Sequence, residues 1–463
     1  MIAPEKPAQR ESTGLANRPE AGSTEARCRV VVLERPADLD AYLPAWNVLV
    51  GHALEPNVFY EPCFLRSALR AFAGLSASGG PSLDLALVLV LGEPEGPPTR
   101  TPRNELWGLF PLERRPPEPN LPLSHFRLFQ HDYSYLPLPL VHRNYGAQVM
   151  AAFFDWLHEQ RRCPPLLAID DLPVGGGVHQ LLVDELGRRG ATLHVRDRWS
   201  RALLAPTCDA ETYEATALAG KHRKELRRQR RRLGELGKLE FCVLAPPAPP
   251  APARPHAAEK ADPSGTADQR AASESPPTPV ANEELENWLG EFMVLEASGW
   301  KGRQGTALGS RIPDALFFLE MARACYAAGR LTATAVRLDG KALVMQILLR
   351  SGSGAFAFKI GYDEDFARFS PGVLLELDLV ERVANHHFLA WIDSAAARNH
   401  PMINRLWTER RSIERWLIGL DTTTSLLLAT LPAVSWWRQW RKHRRDRNQD
   451  PGRDQGQVET TKT

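Results

Sequence analysis

Residues 355–383 carry the pattern in this chain that is best suited to chemistry, a strand, a polar loop and a helix in succession. Phe356 and Phe358 alternate with alanines, which is typical of a half-buried strand. The helix is predicted to begin at Ser370 and Pro371, because serine is a favourable N-cap and proline fits the first helical position. Gly372 follows, and its lack of a side chain lets a ligand approach the backbone. Amides at such a start point outward with the positive end of the helix dipole, so they can receive a phosphate.

Arg368 precedes this helix start by two residues and adds a positive charge that could contact the same phosphate. An ordinary capped helix after an ordinary strand would show the same residues. The phosphate-binding interpretation therefore depends on the rest of the chain.

Three side chains are candidates for a general base. Asp393 and His400 follow the end of a predicted strand, where α/β proteins place reactive side chains. Glu364 belongs to a polar cluster with Tyr362 at the end of the preceding strand. Asp393 could equally satisfy loop amides, and His400 could simply begin the next helix, so the sequence leaves the choice open.

Two basic segments could hold an anionic substrate. Lys301 and Arg303 lie among three glycines that let a ligand come close to the backbone, although such a segment could also simply end a helix. Lys221 and Arg223 open a basic predicted helix whose leucines form an apolar stripe. A solvated helix face is the plain alternative, and the lack of interleaved aromatic residues disfavours nucleic acid.

The elements that must position these residues indicate a mixed α/β fold. A chain of 463 residues with 43% hydrophobic content is long enough for two domains. We predict a disordered N-terminus at 1–27, an α/β domain at 28–205, a second at 206–415 with a disordered insert at 245–280, and an apolar, tryptophan-bearing segment with a basic tail at 416–463. In the second domain we expect helices at 219–234, 283–298, 313–328 and near 402–416, and strands at 239–244, 331–338 and 341–349.

Composition narrows the class further. The net charge of +2 implies no overall attraction to polyanions. Six scattered cysteines without a C-x-x-C pair argue against a disulfide framework and a zinc site, so no metal is predicted. No signal peptide or long apolar run is evident, which predicts a cytoplasmic protein. The C-terminal apolar, tryptophan and arginine-rich run suggests peripheral contact with the inner face of a membrane, or a packed helix with a basic tail.

Several segments together resemble the acetyltransferases associated with bacterial cellulose biosynthesis, which belong to the GNAT superfamily and are similar to double-GNAT Fem-type peptidyltransferases. The segments are NVFYEP at 57–62, KHRKELRR at 221–228, GWKGRQGTAL at 299–308, the block at 362–372, and IDS with NHPMI between 392 and 403. The resemblance covers about residues 29 to 415. It implies two GNAT-like domains, each a mixed twisted sheet flanked by helices.

The resemblance also implies an activity, namely transfer of an acyl group from acetyl-CoA or another acyl-CoA to an amine or hydroxyl, in exopolysaccharide or cellulose production. Donor binding is carried over to Ser370 and Gly372, with Arg368 nearby. The basic residues at 221, 223, 301 and 303, with Tyr362, would orient a small-molecule or saccharide acceptor.

The first domain would form one wall of the acceptor cleft, using Tyr60, His131 and Tyr133. Two alternatives remain open. One is a Fem-like transferase that uses aminoacyl-tRNA, with the basic helix holding the acceptor stem. The other is a non-catalytic scaffold of a polysaccharide machine.

Overall fold

The computed structural model describes residues 28–73, 84–93, 105–118, 121, 123–159, 164–247 and 282–430. The expectations for residues 1–27, for the insert after residue 247 and for the chain after residue 430 lie outside the described residues. Everything below concerns the described ranges.

Thirteen β-strands in the described ranges form one sheet flanked by helices. The strands are β1 (Cys28–Leu33), β2 (Asp84–Gly92), β3 (Glu105–Arg115), β4 (His125–Leu128), β5 (Leu140–Val141), β6 (Leu166–Pro173), β7 (Leu193–Leu204), β8 (Leu239–Leu244), β9 (Leu331–Leu338), β10 (Lys341–Ser351), β11 (Gly354–Tyr362), β12 (Ile392–Asp393) and β13 (Glu409–Gly419). The helices are α1 (Leu43–His52), α2 (Pro62–Phe72), α3 (Gly146–Glu159), α4 (Gly177–Arg189), α5 (Ala210–Ala217), α6 (Gly220–Gly234), α7 (Glu283–Ser298), α8 (Trp300–Arg303), α9 (Ile312–Ala327), α10 (Pro371–His386) and α11 (Ile403–Leu406). Residues 422–430 are also helical.

The strand order is β1-β2-β3-β4-β6-β13-β7-β12-β11-β10-β9-β8, and β5 pairs with β3 off this path. The pairs β4–β6 and β11–β12 are parallel and the remaining pairs are antiparallel, so the sheet is mixed. The prediction of a mixed α/β fold is confirmed. The chain's first and second halves contribute opposite ends of this sheet, which meet at β7 and β12.

The predicted helix near 402–416 is wrong. Only the short α11 is helical there, and β13 follows it. β13 pairs along one edge with β6 and along the other with β7, so two sets of long-range backbone hydrogen bonds decide its conformation. A strand from the second half of the chain thereby joins the first half of the sheet. The predicted boundary after residue 415 falls inside this strand.

Helices cover both faces of the second half of the sheet. α7 and α9 share one hydrophobic cluster with Met345, Ile347 and Phe358. α10 packs on the opposite face through Leu375 and Leu379. This arrangement fixes the start of α10 next to the end of α7, and both sit beside the last residues of β11.

No helix in the described ranges is long and apolar enough to cross a membrane. Leu428, in the helical stretch at 422–430, is buried against Leu417 of β13. This part of the C-terminal segment packs on the body, while Leu426 is 67% exposed. Contact of the remaining tail with a membrane surface stays a prediction.

Candidate functional site

A cavity of about 480 Å³ lies at the start of α10, where β11 and β12 separate. β12 pairs with β11 only at Ala355 and Phe356, so no other described strand covers the rest of that edge. The lining residues come from the end of α7, from α8, from the end of β11, from the turn before α10 and from the loop after β12. They are Leu295, Glu296, Gly299, Trp300, Lys301, Ile360, Gly361, Tyr362, Glu364, Ala367, Ser370, Pro371, Gly372, Val373, His400 and Met402.

The helix start is where the sequence predicts it, with Ser370 at the N-cap and Pro371 in the first position. The serine does not cap through its side chain, because its backbone is left-handed, with φ +52°, and its hydroxyl makes no cap hydrogen bond. The Ser370 carbonyl accepts the Leu374 amide at 3.1 Å. The amides of Gly372 and Val373 precede the first helical hydrogen bond and have no carbonyl within the helix to pair with. Both residues line the cavity, so helix amides and the positive dipole end favour an anion there.

The free edge of β11 adds backbone groups to the opposite wall. The carbonyl of Ile360 accepts a hydrogen bond from Lys301 Nζ at 2.7 Å. The Asp363 amide donates in the other direction, to the Leu343 carbonyl at 2.8 Å. Because backbone groups alternate in direction along a strand, the amide of Tyr362 shares the free edge with Ile360.

A buried glutamate joins two lysines beside the cavity. Glu296 Oε1 lies 3.3 Å from Lys301 Nζ and 4.0 Å from Lys359 Nζ, and its Oε2 accepts the Leu308 amide at 2.9 Å. Burial lowers the pKa of Lys359. Sequence reasoning missed Glu296 and Lys359. A signal was present for Glu296, since it follows Phe292 by four residues and so lies on the apolar face of α7, where a charge needs a partner.

Glu364 holds one wall of the cavity in place. Its Oε1 accepts the Trp300 amide at 2.7 Å, and its Oε2 accepts from the Arg303 guanidinium at 2.7 Å. These two hydrogen bonds lower the pKa of Glu364. The carboxylate therefore fixes the turn at 299–303, and its bonds make it a weak proton acceptor.

Of the three base candidates, His400 is the one that lines the cavity without an ion pair. Its Nδ1 accepts the Ile403 amide at 3.3 Å, which assigns the proton of the neutral ring to Nε2. Partial burial lowers the pKa of His400, so the ring stays neutral at physiological pH. His400 thus offers an N–H donor to a ligand.

Asp393 lies outside this cavity. Its side chain is fully buried, with Oδ1 2.8 Å from Arg201 Nε and Oδ2 2.9 Å from an Arg411 nitrogen. Oδ1 also accepts the Ala395 amide at 2.8 Å. Asp393 does not line the cavity, and its oxygens are occupied by structural partners.

Only some of the predicted basic residues lie at this cavity. Lys301 lines the cavity and Arg303 borders it through Glu364, whereas Arg368 is exposed, with its guanidinium 4.8 Å from the Phe369 ring centroid. Lys221 is exposed at the start of α6. Arg223 lines a separate cavity of about 390 Å³ between α6 and the acidic side of α10.

A further cavity, of about 410 Å³, separates the first half of the sheet from the start of α9. His131 and Tyr133 line it, and the Tyr133 hydroxyl donates to Asp314 at 2.9 Å. Tyr60 does not line it, since it is buried and its hydroxyl donates to the Phe129 carbonyl at 2.8 Å. Across the described ranges, no group of three His, Cys, Asp or Glu side chains could hold a metal ion.

Residues 267–399 match the family described as an acetyltransferase (GNAT) domain. All residues that line the 480 Å³ cavity fall within this match except His400 and Met402, which follow it directly. No curated protein matches the sequence.

Three solved structures illustrate the similarity of this chain to known proteins. The C-terminal domain (DUF2156) of a putative lysylphosphatidylglycerol synthetase from Agrobacterium fabrum is 11% identical, with a TM-score of 0.42 over 86% of this chain and 96% of that chain. FemX is 11% identical, with a TM-score of 0.44 over 83% and 98%. A tandem GNAT protein from the clavulanic acid biosynthesis pathway is 14% identical, with a TM-score of 0.35 over 85% and 99%.

Proposed function

We propose that this protein is an acyltransferase that binds acetyl-CoA in the 480 Å³ cavity at the start of α10. The observation that carries the proposal is the position of the Gly372 and Val373 amides, which open onto this cavity inside the segment that matches the GNAT family. Free helix amides suit the diphosphate of the donor. The apolar walls at Leu295, Ile360 and Met402 suit its pantetheine arm.

The residues then divide into binding and polarising roles. Arg368, Lys301 and Arg303 supply positive charge around the diphosphate. The His400 Nε2–H and the free-edge amide of Tyr362 are hydrogen-bond donors for the thioester carbonyl oxygen as negative charge develops there. The acceptor forms a bond to the thioester carbon, the carbon–sulfur bond breaks, and the thiol of CoA leaves with the proton that the acceptor loses.

The acceptor in this proposal is an amine or a hydroxyl of a small molecule or saccharide. The resemblance of segments 57–62, 221–228 and 299–308 to the cellulose-associated acetyltransferases supports a role in exopolysaccharide production. Fold alone does not select an acceptor, so this finer assignment depends on an acceptor screen.

Calorimetric titration with acetyl-CoA tests the donor site. We expect micromolar binding by the wild-type protein, and binding weakened at least about tenfold, or 1.4 kcal/mol, by Gly372→Asp, which places a negative charge at the helix start. Gly372→Ala is the matched control. It keeps the amide, and its new Cβ would meet Met402 Sδ at 3.8 Å, an ordinary contact. A folded wild-type protein that binds no acetyl-CoA, or equal affinity in all three proteins, would refute the site and favour a scaffold role.

A second candidate, transfer from aminoacyl-tRNA, is favoured by the position of α6. This basic helix packs beside the donor cavity, because Leu233 contacts Phe369 in the turn just before α10. Its arginines at 227, 228, 230, 231 and 232 are exposed and could hold a polyanion. Co-purifying RNA and an affinity for tRNA that falls steeply with salt would support this function, and neither is expected of the acetyl-CoA enzyme.

A further inference from the structure

The 410 Å³ cavity has no role in donor binding, yet it has the features of a ligand site. It lies between the loop at 129–135 and the start of α9, and its volume is typical of pockets for small organic molecules. One side is aromatic, with the His131 ring 4.5 Å from that of Phe72 and 6.0 Å from that of Tyr133. The Tyr133–Asp314 hydrogen bond ties the loop to α9, so the walls are held in place.

Three buried polar atoms of lining residues lack hydrogen-bond partners within the described part of the chain. They are Arg127 Nε, His131 Nε2 and Ser134 Oγ. The His131 Nδ1 accepts the Tyr133 amide at 3.3 Å, and burial lowers its pKa to about 3, so the neutral ring carries its proton on Nε2. Unpaired buried polar groups destabilise the folded protein, and a bound ligand that pairs with them removes that cost. Two of the atoms are donors, so the ligand must bring acceptor oxygens.

The charges of the cavity point to a second property of the ligand. Glu113 is neutralised by Arg127 at 2.9 Å and by Arg115 at 3.7 Å. Asp132 is exposed at the cavity, and no described side chain forms an ion pair or hydrogen bond with its carboxylate. A free carboxylate beside aromatic faces favours a ligand that carries an ammonium group.

The cavity is adjacent to the donor site. Lys359 Nζ lies 4.7 Å from the ring centroid of Tyr133, which lines this cavity, and 4.0 Å from Glu296 Oε1, which lines the donor cavity. The two cavities therefore lie on opposite sides of the Lys359–Glu296 pair.

We propose that the cavity lined by His131, Asp132, Tyr133 and Ser134 binds the acyl acceptor, a small primary amine whose body is rich in oxygen acceptors. Asp132 holds the amino group, while Arg127, His131 and Ser134 hydrogen-bond the oxygens. This inference depends on the proposed function, because an acceptor requires a bound donor. An amino sugar and a hydroxylated amino acid share this chemistry.

Titration of the protein, both free and CoA-bound, with D-glucosamine, L-serine and D-glucose tests the inference. We expect one of the two amines to bind, and D-glucose to bind at least about tenfold more weakly than that amine. Binding of D-glucosamine would indicate an amino sugar as the acceptor, and binding of L-serine would indicate an amino acid. Asp132→Asn should weaken amine binding at least about fivefold, and so should Ser134→Ala, whose hydroxyl has no partner to lose. Asp184→Asn on the exposed face of α4 is the matched control and should change nothing.

The outcomes separate this inference from the proposed function. If acetyl-CoA binds and neither amine does, or if Asp132→Asn and Ser134→Ala leave amine binding unchanged, the acceptor site is refuted and the donor site stands. If amines bind as described but acetyl-CoA does not, the cavity is a ligand site and the donor assignment fails.

Discussion

Arg201 and Asp393 form an ion pair of 2.8 Å between the neighbouring strands β7 and β12, and both side chains are almost fully buried. Arg411 of β13 holds the second carboxylate oxygen at 2.9 Å. One carboxylate therefore joins strands from both halves of the chain at the middle of the sheet. Because Asp393 is the anion between two guanidinium groups, the stability of this cluster depends on its charge.

Asp393→Asn should destabilise the fold by about 3–5 kcal/mol, because Arg201 and Arg411 would stay buried without a counter-charge. Urea unfolding measures the loss. Asp197→Asn is the control, since its partially exposed pair with Arg398 should cost less than about 1 kcal/mol. Wild-type stability together with lost acyl transfer would instead make Asp393 the general base.

His400→Ala should lower the turnover number about 10²-fold while leaving the affinity for acetyl-CoA nearly unchanged, because the lost group acts on the reacting carbonyl. Release of the CoA thiol reports turnover. Burial lowers the pKa of His400 from its usual 6.5, and protonation would leave the Nε2–H in place, so the donor should be present on both sides of that pKa. His386→Ala, at the exposed end of α10, is the matched control. Wild-type turnover by His400→Ala would contradict the role.

Because of Glu376, the free energy of unfolding should fall as pH rises. It is buried on α10 against Gln346, and burial raises its pKa from 4.5 to about 8. Between these values the folded protein holds a proton that the unfolded chain has released, so the free energy of unfolding drops by about 1.4 kcal/mol per pH unit.

Glu376→Gln should remove this slope and be more stable than the wild type at pH 7.5, as measured by urea unfolding at pH 5.5, 6.5 and 7.5. Glu381→Gln on the exposed face of the same helix should keep the wild-type slope. Parallel pH profiles for the wild type and Glu376→Gln would show that Glu376 is ionised in the folded protein.

Arg368→Ala should weaken acetyl-CoA binding by no more than about fivefold at low salt, because an exposed charge contributes up to about 1 kcal/mol. The difference should vanish at 1 M salt, because the Debye length there is only about 3 Å and the charge is screened. Calorimetry at both salt concentrations measures it, with Arg228→Ala on α6 as the control. A larger, salt-independent loss would place the guanidinium inside the binding site.

Local sequence patterns determined the elements that surround the 480 Å³ cavity. The strand predicted from the alternation in β11 and the predicted start of α10 are both present, and α7, β8 and β9 have the predicted bounds. These features depend on neighbours within one or two turns. Hydrophobic period and the proline in the first turn of α10 are therefore sufficient to specify them, although Ser370 does not cap the helix through its side chain.

Tertiary structure alone decided the rest. β13 is a strand because β6 and β7 pair with both of its edges, and Asp393 is held in a buried ion pair because Arg201, 192 residues away, reaches it. Likewise, His400 and Gly372 line one cavity only because β11 and β12 separate, and the cavity at His131 needs α9 from the other half of the chain. Backbone pairing and charge burial join residues distant in sequence, and no local pattern encodes such partners.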